Sequence, residues 1–149
     1  MFTFYASRMK KLYGILVFVL IGAGFLVFFL IKSLPDARMH VHFLDVGQGD
    51  SILIMGPVGE VVLIDGGPDG KSLEKIRRII PFYVNKIDLV VLTHPHADHV
   101  EGLIAVLKRF NVENVLISGA NYSSRVYEVF LDKLDDEIVH FAERDEDFQ

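Results

Sequence analysis

The heptapeptide THPHADH at residues 93–99 decides how this chain is interpreted. It holds three imidazoles and a carboxylate, a combination that hydrophobic packing does not explain. His94 and His96 are spaced i, i+2, so in an extended backbone both side chains point to the same side and reach one cation. Asp98 and His99 follow directly and can serve a second cation. Imidazole and carboxylate donors without sulfur suit Zn²⁺, and also Mn or Fe where oxygen donors are more numerous. The sequence therefore predicts a metal site formed by these four residues.

The segments on either side of the heptapeptide predict where these ligands lie in the fold. Residues 88–92 (DLVVL) are apolar and partly β-branched, which is typical of a buried strand. Residues 100–110 place Leu103, Ile104, Leu107 and Phe110 at helical spacing. We therefore expect the ligands on a strand-to-helix loop, a frequent position for sites held by a rigid scaffold.

The heptapeptide resembles the HxHxDH signature of the metallo-β-lactamase fold hydrolases. Residues 43–51 (FLDVGQGDS) and 63–67 (LIDGG) look like the first strands of one subgroup, the C-terminal domain of the ComEC-type DNA-internalisation competence proteins. Residues 110–112 and 115–120 follow the order of the same subgroup. The resemblance implies an α+β fold, the N-terminal half of a metallo-β-lactamase αββα sandwich.

The resemblance covers roughly residues 41–148 and implies a metal-dependent hydrolase with two Zn²⁺ ions. His94 and His96 would help to hold the first ion, Asp98 and His99 the second, with Asp98 the catalytic residue. A phosphodiester of DNA is the implied substrate, and thioester or lactone hydrolysis is the alternative within the superfamily. Glu101 stands where the subgroup usually has glycine, and a carboxylate in a first helical turn is compatible with the helix dipole.

Asp65 has two interpretations. It is either an acceptor behind the metal ligands that orients a motif histidine, or a turn-forming residue before Gly66 and Gly67.

The resemblance also implies later metal ligands, which the subgroup carries in Thr-Gly-Asp and His-His-Gly-Ser segments. Neither segment occurs in this sequence. Two ligands per ion are fewer than the three protein donors of a typical catalytic zinc site. We therefore expect either a truncated, non-catalytic fragment or a half-site that a second polypeptide completes. His140 is the only histidine after the motif and is expected to be an ordinary strand residue.

The N-terminal third predicts a membrane anchor. Residues 12–31 carry no charge and have the length needed to cross a bilayer core. They separate a basic segment, residues 1–11, from a linker at 32–39 and the partial metallo-β-lactamase-like domain at 40–149. The slight excess of positive charge before the span favours a cytoplasmic N-terminus and an extracytoplasmic C-terminal domain. A cleaved signal peptide is the competing interpretation.

Composition restricts the other possibilities. All 20 acidic but only 11 of the 15 basic residues lie from Asp36 onward, so that part carries a net charge of −9. A non-specific nucleic-acid binder would usually be basic, which argues against a strong grip on DNA by this segment alone. The absence of cysteine excludes disulfides and cysteine metal ligands.

Several other polar residues have a structural explanation and a functional one. His40 and His42 share the i, i+2 spacing but are expected to flank the first strand. Asp50 and Ser51 belong to a hairpin turn or line the mouth of the site. Three basic residues on one helical face indicate a solvated surface more than a phosphate site: Lys71, Lys75 and Arg78.

The predicted elements alternate along the chain after the linker. Strands are expected at 41–46, 51–55, 60–64, 88–92, 115–118 and 137–142. Helices are expected at 72–80, 100–110 and 123–134. In the first of these helices Ser72 is an N-cap or first-turn residue. The last helix is expected to present one apolar face, formed by Val126, Val129, Phe130 and Leu134.

Overall fold

The computed structural model describes residues 2–119, 122–134 and 138–142, in two compact units, Met1–Leu34 and Pro35–Gln149. The first unit is one helix, α1 (Phe2–Ser33), which includes the predicted apolar segment and extends beyond it at both ends. Lysine and arginine are good helix formers, so the basic segment continues the helix rather than ending it. Met9–Lys32 is long and apolar enough to cross a membrane by length and composition.

The second unit alternates strands and helices along the chain. Its strands are β1 (His40–Phe43), β2 (Ile52–Met55), β3 (Val61–Ile64), β4 (Lys86–Ile87), β5 (Leu89–Leu92), β6 (Asn111–Val112), β7 (Val115–Ile117) and β8 (Val139–Phe141). Its helices are α2 (Lys71–Ile79), α3 (Ala97–Leu107) and α4 (Arg125–Leu131).

Six of these strands form one mixed sheet in the order β1-β2-β3-β5-β7-β8. The strands from β1 to β3 pair antiparallel, and β3, β5, β7 and β8 run parallel with a helix in each connection. Strands β4 and β6 form a separate parallel pair that the sequence does not predict, because two residues are too short for a periodic signal. The predicted order of the main strands and helices is confirmed, and the fold is mixed α/β.

One face of the sheet packs against the helices. The side chains of Leu53, Leu63, Val90 and Val115 are fully buried there. They join one core with buried residues from α2, α3 and α4, namely Ile76, Val100, Leu103, Val106, Tyr127 and Phe130. This core fixes α3, and therefore the start of the motif helix, against β5.

The opposite face of the sheet is also apolar. Its side chains alternate with the core residues along each strand and are half-buried: Ile52, Ile54, Val62, Ile64, Leu89, Val91 and Leu116. An antiparallel or mixed sheet with one solvated face usually alternates apolar and polar residues, whereas a sheet that is covered on both faces reads as continuously apolar. The composition of this sheet is that of a central layer.

Two local predictions differ from the structure. Strand β1 ends at Phe43, although the Leu44 N–H still donates to the Ser51 carbonyl. In α4 Val129 is exposed and Tyr127 is buried beside Phe130, because α4 turns that face toward α3 and the core. The prediction that Ser72 is an N-cap or first-turn residue is confirmed, because Ser72 is a buried first-turn residue of α2 and Gly70 occupies the N-cap position.

Candidate metal centre

The motif spans the end of β5 and the first turn of α3. Thr93 to His96 form the loop, but Asp98 and His99 belong to the helix, which begins at Ala97. The prediction that all ligands lie on a loop is therefore wrong. His96 is extended at the N-cap, and its carbonyl accepts hydrogen bonds from the N–H groups of His99 and Val100. A carboxylate in the first turn, as at Asp98, is stabilised by the helix dipole.

The ring of His94 contacts the rings of both other motif histidines. The ring centroids of His94 and His96 are 4.8 Å apart, and those of His94 and His99 are 3.8 Å apart. His99 is buried, His94 and Asp98 are half-buried, and His96 is exposed. The sequence spacing alone predicts the pairing of His94 with His96. The contact of His94 with His99 requires the helix to start immediately after the loop.

Asp65 lies behind these imidazoles and is almost completely buried, with 2% of its surface exposed. Its Oδ1 accepts a hydrogen bond from the Thr93 N–H at 2.9 Å. Its Oδ2 accepts from the Thr93 hydroxyl at 2.6 Å and from His99 Nδ1 at 2.9 Å. Asp65 also has a φ of +56° in the turn before Gly66, so both interpretations of this residue describe its geometry. The carboxylate orients a motif histidine from within a tight turn.

These hydrogen bonds determine which ring nitrogens are available. Because His99 Nδ1 donates to Asp65, the lone pair of the neutral imidazole is on Nε2. His99 Nε2 lies 3.9 Å from Asp98 Oδ2, too far for a direct hydrogen bond. The Nε2 lone pair of His99 and the Asp98 carboxylate are thus two acceptors close to each other, and a cation bound by both would stabilise this arrangement. Asp65, His94 and His99 form the one cluster of potential ligand atoms found among the described residues, with those atoms within 4.8 Å of one another. Neither His96 nor Asp98 belongs to this cluster. Both Asp65 oxygens are already hydrogen-bonded, and imidazole and carboxylate donors of this kind are types that bind divalent metals.

Tyr122 contacts the motif from the connection between β7 and α4. Its ring centroid lies 5.3 Å from that of His96, and 41% of its surface is exposed. Tyr122 was not predicted from the sequence, because no local spacing relates it to the motif. An aromatic residue shortly after the next parallel strand was the available signal, since parallel strands bring their carboxyl ends to one edge.

Glycines bring the surrounding backbone close to the motif. A Cβ at Gly49, where φ is +68°, would overlap the Asp98 carbonyl group. Gly66 and Gly102 lie so close that a Cβ on either one would overlap the backbone of the other. Two hydrogen bonds join the same two segments: the Gly66 N–H donates to the His99 carbonyl at 2.8 Å, and the Gly102 N–H donates to the Gly67 carbonyl at 2.9 Å. The Asp65 turn is thereby attached to the helix that carries Asp98 and His99.

Comparison with known proteins decides the family. The sequence model of the metallo-beta-lactamase superfamily matches residues 44–146, more than half of the chain. The chain belongs to the metallo-beta-lactamase superfamily. The motif at residues 93–99 and the Asp65 turn both lie within the matched region, so the family expected from the motif is confirmed.

Two curated relatives come from Bacillus species. Exodeoxyribonuclease YycJ of Bacillus anthracis is 26% identical over 74 residues, which cover 50% of this chain and 28% of that protein. ComE operon protein 3 of Bacillus subtilis is 29% identical over 110 residues, which cover 61% of this chain and 14% of that protein. Among solved structures, the Rm3 metallo-beta-lactamase is 28% identical with a TM-score of 0.45, over 53% of this chain and 29% of that chain. The chain therefore spans less than a third of the length of each of these proteins.

The other histidines lie away from the metallo-beta-lactamase motif. His140 Nε2 is 3.0 Å from Asn114 Oδ1, next to the amino-terminal end of β7, whereas the motif follows the carboxyl end of β5. His40 Nε2 is 2.9 Å from Asp36 Oδ1, and this hydrogen bond lowers the pKa of the Asp36 carboxyl. His42 stacks on His40 with ring centroids 6.3 Å apart.

The remaining polar residues have mainly structural contacts. Ser51 is buried, and its hydroxyl donates to the Asp65 carbonyl at 3.1 Å, so it supports the turn instead of lining the mouth of the site. Lys71 pairs with Asp69, and Arg78 pairs with Glu74. An open cavity of about 390 Å³ lies beside α2 and is lined by both acidic and basic side chains: Asp45, Lys71, Glu74, Lys75 and Arg78. This mixture of charges does not form a dedicated phosphate site.

Proposed function

We propose that this chain provides the metal-binding half of a membrane-anchored, metal-dependent phosphodiester hydrolase that acts on DNA. The observation that carries the proposal is that the His94 ring contacts the rings of both His96 and His99. Asp98 Oδ2 lies 3.9 Å from His99 Nε2, and the buried Asp65 carboxylate accepts a hydrogen bond from His99 Nδ1.

Each residue of the centre has a distinct role in this proposal. His94 and His96 help to hold one divalent ion, and Asp98 and His99 help to hold a second, with Zn²⁺ preferred and Mn or Fe possible. A bound divalent metal supplies Lewis-acid chemistry, in which it lowers the pKa of water and stabilises developing negative charge. Asp98 is the catalytic carboxylate, because it is a ligand at the open, half-buried side of the motif. Asp65 holds His99 in the tautomer that leaves Nε2 free.

DNA is the proposed substrate because one curated relative is named an exodeoxyribonuclease. The sequence also resembles the ComEC-type DNA-internalisation competence proteins, and the second curated relative is ComE operon protein 3. The net charge of −9 from Asp36 onward means that the affinity for DNA must come from the metal centre or from a further segment. Thioester and lactone hydrolysis remain as alternatives from the same superfamily, since a fold does not determine its substrate.

Two observations favour a centre that another segment completes. The four motif donors supply two per ion, where a catalytic zinc site usually has three protein ligands. The second face of the sheet, from Ile52 to Leu116, is apolar, as in a layer that another layer covers. This segment can belong to the same polypeptide or to a second one.

Hydrolysis is tested with the full chain in detergent micelles. Labelled single- and double-stranded DNA, a thioester and a lactone are incubated with Zn²⁺ or Mn²⁺. The same mixtures are repeated with a polypeptide that carries Thr-Gly-Asp and His-His-Gly-Ser segments. We expect negligible turnover by the chain alone and metal-dependent DNA cleavage by the mixture. Cleavage should be lost in Asp98→Ala and kept in Asp69→Ala, a matched exposed carboxylate.

Three results would count against this function. Cleavage of the thioester or lactone in place of DNA would replace the substrate. Cleavage that survives Asp98→Ala would remove the assigned catalytic residue. A mixture that binds metal but hydrolyses none of the four substrates would leave only a metal-binding role.

The anchor is a separate part of the proposal. Met9–Lys32 would span the bilayer with the N-terminus in the cytoplasm, because Arg8, Lys10 and Lys11 precede the apolar segment. Carbonate extraction should leave the full chain in the membrane and release a variant that begins at Asp36. Release of the full-length chain would contradict the span, and release after loss of about 35 residues would indicate a signal peptide. A C-terminal reporter active only outside the cytoplasm is expected, and a reporter active only in the cytoplasm would reverse the orientation.

A further inference from the structure

We propose that the Thr93 hydroxyl is a positioning group that couples two of the motif histidines to the buried carboxylate of Asp65. The inference rests on the proposed metal centre and adds a residue to it that is not itself a ligand. Thr93 lies at the last position before the motif histidines, at the end of β5.

The hydrogen bonds around Thr93 form a continuous chain. Thr93 Oγ1 donates to Asp65 Oδ2 at 2.6 Å. A hydroxyl has one proton, so its contact of 3.0 Å with His94 Nδ1 uses Oγ1 as acceptor and Nδ1–H as donor. On the other side of Asp65 Oδ2, His99 Nδ1–H donates at 2.9 Å. One carboxylate oxygen thus sets the tautomer of His99 directly and that of His94 through Thr93.

The consequence for metal binding follows from the tautomers. With Nδ1 protonated on both rings, the lone pairs of His94 and His99 are on Nε2. The two ring centroids are only 3.8 Å apart, so both rings present donors to one small volume. Partners behind metal-binding histidines typically change metal affinity by about 10–100-fold when they are removed. His96 has a different environment, since its ring contacts His94 and Tyr122.

The position allows the hydroxyl to be tested without disturbing the fold. Thr93 is exposed, and its backbone N–H donates to Asp65 Oδ1 whatever the side chain. Thr93→Val keeps the shape and removes the hydroxyl, and Thr93→Ser keeps the hydroxyl and removes the methyl group. Ser51→Ala is a matched control, because the Ser51 hydroxyl also donates to Asp65, but to its carbonyl.

The experiment uses the full chain in detergent micelles and two readouts. Zn²⁺ affinity is measured by competition with a chelating fluorophore. The imidazole tautomers of the metal-free protein are read from long-range ¹H–¹⁵N correlation spectra. We expect Thr93→Val to weaken Zn²⁺ binding by about tenfold or more, and to release His94 from the Nδ1–H tautomer. Thr93→Ser and Ser51→Ala should match the wild-type chain in both readouts.

The outcomes separate this inference from the proposed function. Wild-type affinity and tautomers in Thr93→Val would overturn the role of Thr93 while leaving the metal centre in place. A loss in Thr93→Ser equal to that in Thr93→Val would also overturn it, because the hydroxyl would not be the active group. A wild-type chain that binds no Zn²⁺ would refute the proposed centre, and the spectra would still report whether Thr93 sets the His94 tautomer.

Discussion

Gly102→Ala should destabilise the second unit and displace the metal ligands, although alanine is the better helix former. Gly102 lies inside α3 at the point where this helix touches the Asp65 turn. A Cβ at position 102 would overlap the Gly66 carbonyl oxygen and lie 2.6 Å from Ser72 Oγ. Relief of this overlap requires α3 to move away from the turn, because the obstructing group on the Gly66 side is backbone.

The magnitude follows from the contacts that such a movement breaks. The hydrogen bonds from Gly66 N–H to His99 and from Gly102 N–H to Gly67 are each worth about 1 kcal/mol. Overpacking of a close contact costs about 1–3 kcal/mol, and the helix propensity of alanine returns about 1 kcal/mol. The net loss is about 3 kcal/mol, a large part of the roughly 5–15 kcal/mol by which a domain is stable.

Urea unfolding of the full chain in micelles measures this loss, with near-ultraviolet circular dichroism reporting on the buried Tyr127 ring. Gly70→Ala is the matched control, because a Cβ there meets nothing within 4 Å. The control should lose no more than about 1 kcal/mol, because glycine is preferred to alanine at the N-cap that Gly70 occupies. Gly102→Ala with stability equal to or above the wild type would refute the close backbone contact and with it the attachment of Asp65 to the motif helix.

Three further predictions concern Asp65, Asp88 and Phe130. Asp65→Asn should weaken Zn²⁺ binding by about 10–100-fold in a competition titration, because an amide cannot accept all three hydrogen bonds. Asp69→Asn changes an exposed carboxylate and is the control, so equal Zn²⁺ affinities of the two variants would contradict the role of Asp65. Burial opposes ionisation of Asp88, but hydrogen bonds from Lys86 and the Val61 N–H outweigh it and lower the pKa of Asp88 below 3.8. The stabilisation by ionised Asp88 is therefore present above that pH and is lost as pH falls through the folded-state pKa. Asp88→Asn should cost about 1–3 kcal/mol of unfolding free energy at pH 7 and should flatten the loss of stability in acid. An unchanged loss of stability in acid would contradict this role of Asp88. Phe130→Ala should cost about 3–5 kcal/mol in urea unfolding because the ring is fully buried, and an equal loss in the exposed control Val129→Ala would show that the α4 face is assigned wrongly.

The order of strands and helices was predictable because apolar runs and turn residues are local signals. Residues 88–92 read as a buried strand and form β5, and the following helix was expected within three residues of its start. The β4–β6 pair was not predictable, since its partners are two residues each and are separated by β5 and α3. The predicted face of the last helix is confirmed for Val126, Phe130 and Leu134, which join or pack against the core. Only Val129 was wrong, since Tyr127 is buried in its place and packing against α3 decides between the two.

The candidate site was predictable where its residues are adjacent in sequence. Residue type and spacing are enough to predict the four motif donors, which are His94, His96, Asp98 and His99. The contacts behind them are long-range: Asp65 and His99 are 34 positions apart, and Asp65 and Thr93 are 28 apart. The sequence left two interpretations open for Asp65 and gave no signal for the role of Thr93. For Tyr122 it gave only a weak one, an aromatic residue shortly after a strand, because these roles depend on which strand ends meet at one edge of the sheet.

Zinc titration of the full chain in micelles tests the central claim most directly. Isothermal titration calorimetry compares the wild type with His94→Ala/His96→Ala and with His40→Ala/His42→Ala. Both double variants remove two histidines at i, i+2 spacing, but only the first pair converges with His99. We expect His94→Ala/His96→Ala to lose most of the Zn²⁺ binding and His40→Ala/His42→Ala to keep it. Binding that survives the first substitution, or falls equally in both, would contradict a metal centre at this motif.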